Sequence, residues 1–200
     1  MLPAGIGKVK QIGYTHTAMK SAGRLRPLLA QIDQKLTPTI AVARERGPLR
    51  TVALAIAHSG DSYIWAAILV AAWLLGDHTW RVRAVLTFGG LALAEVVVIL
   101  VKVTVRRKRP PGDAGAIYRR TDPYSFPSGH AARAMLLCIL SGVLGPAWAF
   151  WTILAWSPIM VASRVAIAIH YVLDVAGGLV LGVVLAAVVL GLAPAVTSWI

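Results

Sequence analysis

Five long apolar stretches decide what this chain can become. They run over about Ala53–Gly76, Ala84–Val101, Ala131–Gly145, Ala147–Ala162 and Val175–Val196. Each approaches or exceeds the roughly 17–25 residues that a membrane-spanning helix needs, although the third and fourth reach that length only by borrowing flanking residues. Of 200 residues, 14% are charged, against about 25% in soluble domains. Gly89-Gly90 and Gly178-x3-Gly182 lie inside these stretches, where small residues let helices approach closely in lipid. A β-barrel would need short alternating strands, which the sequence lacks. The expected fold is therefore all-α: a polytopic transmembrane helix bundle with about five spans, occupying residues 53–200 as one domain and sitting as a multi-pass protein in the cell membrane.

Residues 1–52 form a different region. "RPLLAQIDQKLTPTIAVARERGPLR" mixes apolar and basic residues and is interrupted by Pro38 and Pro48. This reads as a basic amphipathic segment with short helices lying at the membrane interface; a partly disordered basic tail is the alternative. The first twenty residues have no apolar core of the signal-peptide kind, so no cleavage is expected. The single cysteine, Cys138, lies within the third stretch and excludes an intrachain disulfide or a cysteine-based metal cluster.

The formal charge of +12 is uneven. Nine of the twenty Lys and Arg fall in residues 1–50 and seven in 102–120. Such an excess suits nucleic acid, anionic headgroups or a phosphate substrate; beside five spans, membrane lipids and a lipid phosphate are the expected partners, and nucleic acid fits worst. Counting crossings places the N-terminal segment, the 102–130 loop and the 164–174 segment on one face of the bundle.

The unusual polar residues cluster on that face in three groups. In "KVTVRRKRP", Lys102 and Arg109 are seven residues apart, close to two helical turns, so both can point one way with Arg106 between them. Arg107 would lie on another helical face, where its loss should be mild. A positive-inside charge cluster ending a span explains the same residues. In "SFPSGHAAR", Pro127 and Ser128 resemble a helix start, Gly129 permits close backbone approach, and His130 stands in the first turn, where free N–H groups make an anion site. A plain Ser cap followed by an interfacial histidine is the simpler reading. In "SRVAIAIHYVLD", His170 and Asp174 are i,i+4 and share a face if a helix runs through them. The carboxylate could then hold one imidazole nitrogen protonated and leave the other as a nucleophile, while Arg164 offers a planar fork for phosphate oxygens. A surface ion pair beside an interfacial arginine accounts for them separately. Together the three groups supply what phosphoryl transfer requires: cations for the phosphate oxygens, a nucleophile and an acid.

Lys102-x6-Arg109-Pro110, Pro127-Ser128-Gly129-His130 and Ser163-Arg164-x5-His170-x3-Asp174 resemble the three-part signature of the type 2 phosphatidic acid phosphatase family. That family includes lipid phosphate phosphatases, bacterial undecaprenyl pyrophosphate phosphatases and, on the same pocket, vanadium haloperoxidases. The resemblance covers the chain from about residue 55 onward. It implies a hydrolase with His170 as nucleophile oriented by Asp174, His130 as acid, and Lys102, Arg109, Ser128, Gly129 and Arg164 holding phosphate. It also implies a metal-independent reaction without a cofactor, because cationic side chains neutralise the charge and no acidic cluster stands ready for Mg²⁺. A polyprenyl pyrophosphate or monophosphate is the favoured substrate, with phosphatidate or phosphatidylglycerophosphate as the alternative. A haloperoxidase and a non-enzymatic anionic-lipid binder are the other classes. Many bacterial relatives have six spans, and this chain lacks the counterpart of the first.

Two acidic residues lie outside the signature. Glu95, within the second stretch, is expected to pair with Arg133, to orient Lys102, or to be neutral, since a charge there is costly. Asp61 follows Gly60 and is expected to cap a helix. On the side the site faces, sixteen basic residues on its face favour the cytoplasm by the positive-inside rule, whereas the usual bacterial relatives imply an outward-facing site.

Overall fold

The structure, a computed structural model, describes residues 31–33, 35–41, 47–111 and 122–197. Six helices with defined bounds build it: α1 (Pro48–His58), α2 (Ser62–Leu75), α3 (His78–Val105), α4 (Gly129–Leu144), α5 (Ala147–Ala166) and α6 (Val172–Thr197). Upstream, residues 31–33 and 35–40 are helical as well.

Local sequence sets the boundaries. Pro48 opens α1 from its first turn, where the missing N–H costs nothing. Asp77 caps α3 by accepting from Trp80 N at 2.9 Å. Ser128 caps α4 in the same way through Ala131 N. Gly145 and Pro146 turn the chain between α4 and α5.

The first apolar stretch is not one straight helix. It breaks at Ser59-Gly60-Asp61, and α1 and α2 meet at a bend of 46°. By length and apolar character, α3, α5 and α6 can cross a membrane, and the bent pair α1–α2, a broken span or a re-entrant loop, makes a fourth if it is taken as one span. The fifth expected span, α4, has only 16 residues, about 24 Å at 1.5 Å per residue, short of the ~30 Å hydrocarbon core. Its position explains the shortfall. Nine of its residues are buried, from Gly129 to Leu140, because α4 is wrapped by α3, α5 and α6 rather than by lipid. The exposed large apolar side chains, among them Leu74, Leu75, Trp148, Trp151, Val180 and Val188, lie on the surrounding helices except for Val143 near the end of α4.

The core is centred on α4. Leu136, Leu137 and Leu140 pack with Leu86, Leu91 and Ala94 of α3 and with Leu185, Ala186 and Val189 of α6. Two glycines allow α6 to approach. A Cβ at Gly178 would come 2.4 Å from the Ser128 carbonyl oxygen, and one at Gly182 would come 2.5 Å from that of Ala132.

This contact is with backbone, which cannot turn aside, so Gly182→Val should destabilise by at least the ~1–3 kcal/mol typical of overpacking. Gly191, on the same helix with open space around it, serves as the control. Thermal unfolding in detergent should show a lowered midpoint for Gly182→Val and little change for Gly191→Val.

Candidate active site

At one end of the bundle the break between α1 and α2, the end of α3, the start of α4 and the α5–α6 connection surround a cavity of about 380 Å³. Of the signature residues, Lys102, Arg109, Gly129, His130, Arg164 and His170 line it. Ser128 and Asp174 stand behind that lining, both wholly buried, with Ser128 N–H donating to the Asp174 carbonyl at 2.9 Å. The structure therefore gathers the three sequence groups, though by local geometry that differs from the expected one.

The helical spacing of Lys102 and Arg109 is not what unites them. Helix α3 ends at Val105, and Arg106 takes a left-handed conformation (φ 53°) as its cap, a common way to terminate a helix. Arg106 turns back, its Nε donating to Val103 O at 2.8 Å. The chain then runs extended, pinned to the segment before α4 by Ser125 N–H donating to Arg107 O at 2.8 Å. Lys102 reaches the cavity from the helix and Arg109 from this extended piece. Both donate to one oxygen of Asp122, Oδ2, with Arg109 Nη2 at 2.7 Å, and Arg109 Nε donates to the Asp122 carbonyl at 2.8 Å.

His170 and Asp174 do not share a continuous helix either. After α5, Ala168 adopts a left-handed φ of 56°, and the Ile169 and His170 N–H groups both return to the Arg164 carbonyl, at 3.1 and 3.3 Å. This turn carries strain of about 1–2 kcal/mol for a residue with a Cβ, and it swings His170 into the cavity before α6 begins. Asp174 lies in the first turn of α6, where its Oδ2 accepts from Tyr171 N at 2.9 Å and stands 3.6 Å from His170 Nδ1. On the other side of the ring, Arg109 Nη1 lies 3.4 Å from His170 Nε2. A guanidinium can only donate, so Nε2 presents its lone pair and Nδ1 carries the proton on the Asp174 side. Burial pulls the His170 pKa down to about 4; Arg164 and Arg109 act in the same direction and Asp174 opposes them. The ring is neutral at physiological pH.

Arg107 corrects the sequence reading. Its Nη1 donates to Asp174 Oδ1 at 2.7 Å, Nη2 donates to Asp33 Oδ2, and the guanidinium lies 4.2 Å from the centre of the Tyr171 ring. The end of α3 brought it beneath Asp174 and Tyr171 rather than onto an outer face. Asp33 and Thr37, both buried, also satisfy the opening of α6: Leu173 N–H donates to Asp33 Oδ1 at 3.0 Å and Val172 N–H to Thr37 Oγ1 at 3.4 Å. Part of the N-terminal segment thus serves as a helix cap under the site.

Three acidic residues on the cavity wall were not read as site residues. Asp122 was missed because its role depends on a loop fold. Glu95 pairs with Arg133 at 2.8 Å, one of the arrangements foreseen. Asp61 precedes α2 but makes no side-chain cap; its carboxylate contacts His130 and His58 instead. A signal for it was present, since a charge interrupting an otherwise apolar span is seldom idle.

Residues 83–197 match the PAP2 superfamily. The chain belongs to that family. It is 30% identical over 146 residues to a decaprenylphosphoryl-5-phosphoribose phosphatase of Mycobacterium tuberculosis, covering 72% of this chain and 81% of the relative. To the protein of the same name from Mycolicibacterium smegmatis it is 32% identical over 151 residues, covering 73% and 80%. In fold it resembles a PAP2-type phosphatidylglycerolphosphate phosphatase of Bacillus subtilis, with a TM-score of 0.66, 22% identity and coverage of 82% and 85%. It also resembles LpxE of Aquifex aeolicus, with a TM-score of 0.59, 20% identity and coverage of 79% and 94%. The chain is thus a multi-pass membrane lipid phosphatase of the PAP2 type.

Two predictions follow from the geometry. Arg107→Ala leaves the buried Asp174 and Asp33 without their cation, so it should lower kcat at least about tenfold, the order expected when a partner that orients a functional side chain is lost. A melting midpoint and turnover close to those of the unaltered protein would restore the outer-face reading. Separately, ¹⁵N-histidine NMR in detergent should show His170 neutral from pH 7 down to about 5, gaining its proton only near pH 4. Titration near 6.5, the ordinary value, would mean that burial does not govern this ring.

Proposed function

We propose that the protein hydrolyses the phosphate ester of a polyprenyl lipid through a phosphohistidine at His170. The observation that carries this reading is the buried, neutral His170 with its Nε2 lone pair turned toward Arg109 and the cation-lined cavity. Lys102 and Arg109 converge on a single carboxylate oxygen of Asp122, which supports an anion position there for phosphate oxygens. Arg164, 1% exposed, adds a third cation to the same wall.

The mechanism follows from these positions. Cations neutralise the phosphate oxygens as Nε2 attacks phosphorus. The P–N bond forms while the P–O bond to the lipid breaks, and His130 gives its proton to the departing oxygen. Water then attacks phosphorus, its proton passes to His130, the P–N bond breaks and His170 regains its lone pair. Asp174 keeps the proton on Nδ1 throughout. Ser128 supports the site from behind by capping α4 and bonding Asp174, while Gly129 lies on the wall itself.

The polyprenyl preference draws on the relatives at 30% and 32% identity, whose names specify a decaprenyl-linked substrate. Phosphate release in detergent, with excess EDTA, would be compared for polyprenyl monophosphate and pyrophosphate, phosphatidate and phosphatidylglycerophosphate. The expected result is a kcat/KM at least about tenfold higher for a polyprenyl substrate, a difference of some 1.4 kcal/mol in transition-state stabilisation. Preference for either glycerolipid would overturn the substrate assignment. His170→Ala should remove turnover of every substrate, and retained turnover would refute the covalent route.

A further inference from the structure

The break between α1 and α2 is built around His130. Asp61 Oδ1 lies 2.9 Å from His130 Nε2, and Asp61 Oδ2 lies 2.8 Å from Nδ1 of the half-exposed His58. Gly60 brings this segment against the imidazole edge. A Cβ there would come 2.9 Å from His130 Cδ2 and 2.8 Å from Met160 Sδ. The Gly60 carbonyl accepts from Arg133 Nη2 at 3.3 Å. The same Nη2 is 3.1 Å from His130 Nδ1.

These contacts settle which nitrogen holds the ring proton. Arginine can only donate, so Nδ1 of the neutral imidazole accepts, and the single ring proton sits on Nε2, donated to Asp61. They also expose an electrostatic difficulty. An acid must carry an extra proton, yet His130 lies among cations: Arg133 from its own helix, Arg164 from α5, and Lys102 and Arg109 across the cavity. Glu95 of α3 is engaged by Arg133, Asp122 by Lys102 and Arg109, and His170 on the opposite wall is neutral. Among the described residues, Asp61 is the carboxylate in hydrogen-bond contact with the His130 ring.

We propose that Asp61 is the positioning residue of His130, fixing the proton on Nε2 and sustaining the imidazolium so that Nδ1 delivers the proton to the leaving oxygen. When His130 is protonated, Nδ1 can no longer accept from Arg133; the guanidinium gives up that position and the lipid oxygen takes it as the acceptor of the Nδ1 hydrogen. The Nδ1–H bond breaks as the O–H bond forms on the departing alcohol, and the water that cleaves phosphohistidine returns a proton to Nδ1. Asp61 keeps its charge throughout, and His58 holds the carboxylate's other oxygen. This assignment rests on the reading of His130 as the acid.

The test uses the full-length protein in detergent and compares kcat/KM for two substrates. A polyprenyl monophosphate leaves as an alkoxide and needs the proton; 4-nitrophenyl phosphate leaves as a stable phenolate and needs it far less. Asp61→Asn should lower kcat/KM on the lipid about a hundredfold, with a loss at least tenfold smaller on the aryl ester. The alkaline limb of the lipid profile should move to lower pH, because removing a carboxylate disfavours the charged ring. Asp61→Glu should recover part of the lipid rate.

Equal losses on both substrates with an unmoved limb would reduce Asp61 to a structural role, and unchanged lipid turnover would dismiss it altogether. If Asp61→Asn cannot be purified folded, His58→Ala must show the same split in smaller measure, about threefold, and its absence there is equally fatal. His170→Ala and His130→Ala are assayed alongside. Turnover by the first, or no leaving-group dependence in the second, breaks the underlying mechanism rather than the assignment of Asp61.

Discussion

The contact between α4 and α6 is the constraint on which the site depends. Gly178 and Gly182 bring α6 onto the backbone of Ser128 and Ala132, and the Ser128 N–H bonds the Asp174 carbonyl at 2.9 Å. That approach sets the start of α4, bearing His130, beside the start of α6, with His170 immediately before it. Both histidines then face one cavity from separate walls. A side chain at either glycine would push α6 off α4 and move His170 away from His130. Packing between small residues in lipid here sets the geometry of the cavity as much as the stability of the bundle.

The second theme is charge held in an apolar setting. An unpaired buried charge is severely unfavourable, whereas a paired and hydrogen-bonded one can be tolerated. Four carboxylates near the site answer cations brought from elsewhere in the chain: Glu95 meets Arg133, Asp122 meets Lys102 and Arg109, and Asp33 and Asp174 share Arg107. Lys102, Arg109 and Arg133 are thus held in place on the cavity wall. Both histidines stand between a carboxylate and a guanidinium: His170 between Asp174 and Arg109, and His130 between Asp61 and Arg133.

Much was legible in the chain itself. The five apolar stretches gave a helical membrane bundle, and the three motifs named the cavity-lining Lys102, Arg109, Gly129, His130, Arg164 and His170. The failures share a cause. Lys102 with Arg109, and His170 with Asp174, were placed on common helical faces by their spacing, yet a left-handed residue interrupts the helix in the first case and precedes its start in the second. Such turns carry no periodic signal when the residues are Arg106 and Ala168 rather than glycine. Arg107 was misjudged for the same reason, since a side chain's face is undefined once the helix has ended. Asp61 was visible as a charge in an apolar stretch, but its partner is 69 residues away.

Sequence by itself determined composition-driven properties: an α-helical membrane protein, the family, and the residue types needed for phosphoryl transfer, because apolar length and motif chemistry are local. Tertiary structure decided which side chains meet. It turned the first stretch into a bent pair around His130, enclosed the short α4 among α3, α5 and α6, and placed Asp33 of the N-terminal segment against Arg107 and the opening of α6. Those outcomes depend on close packing and on pairing charges distant in sequence, and neither is encoded in any window short enough to read along the chain.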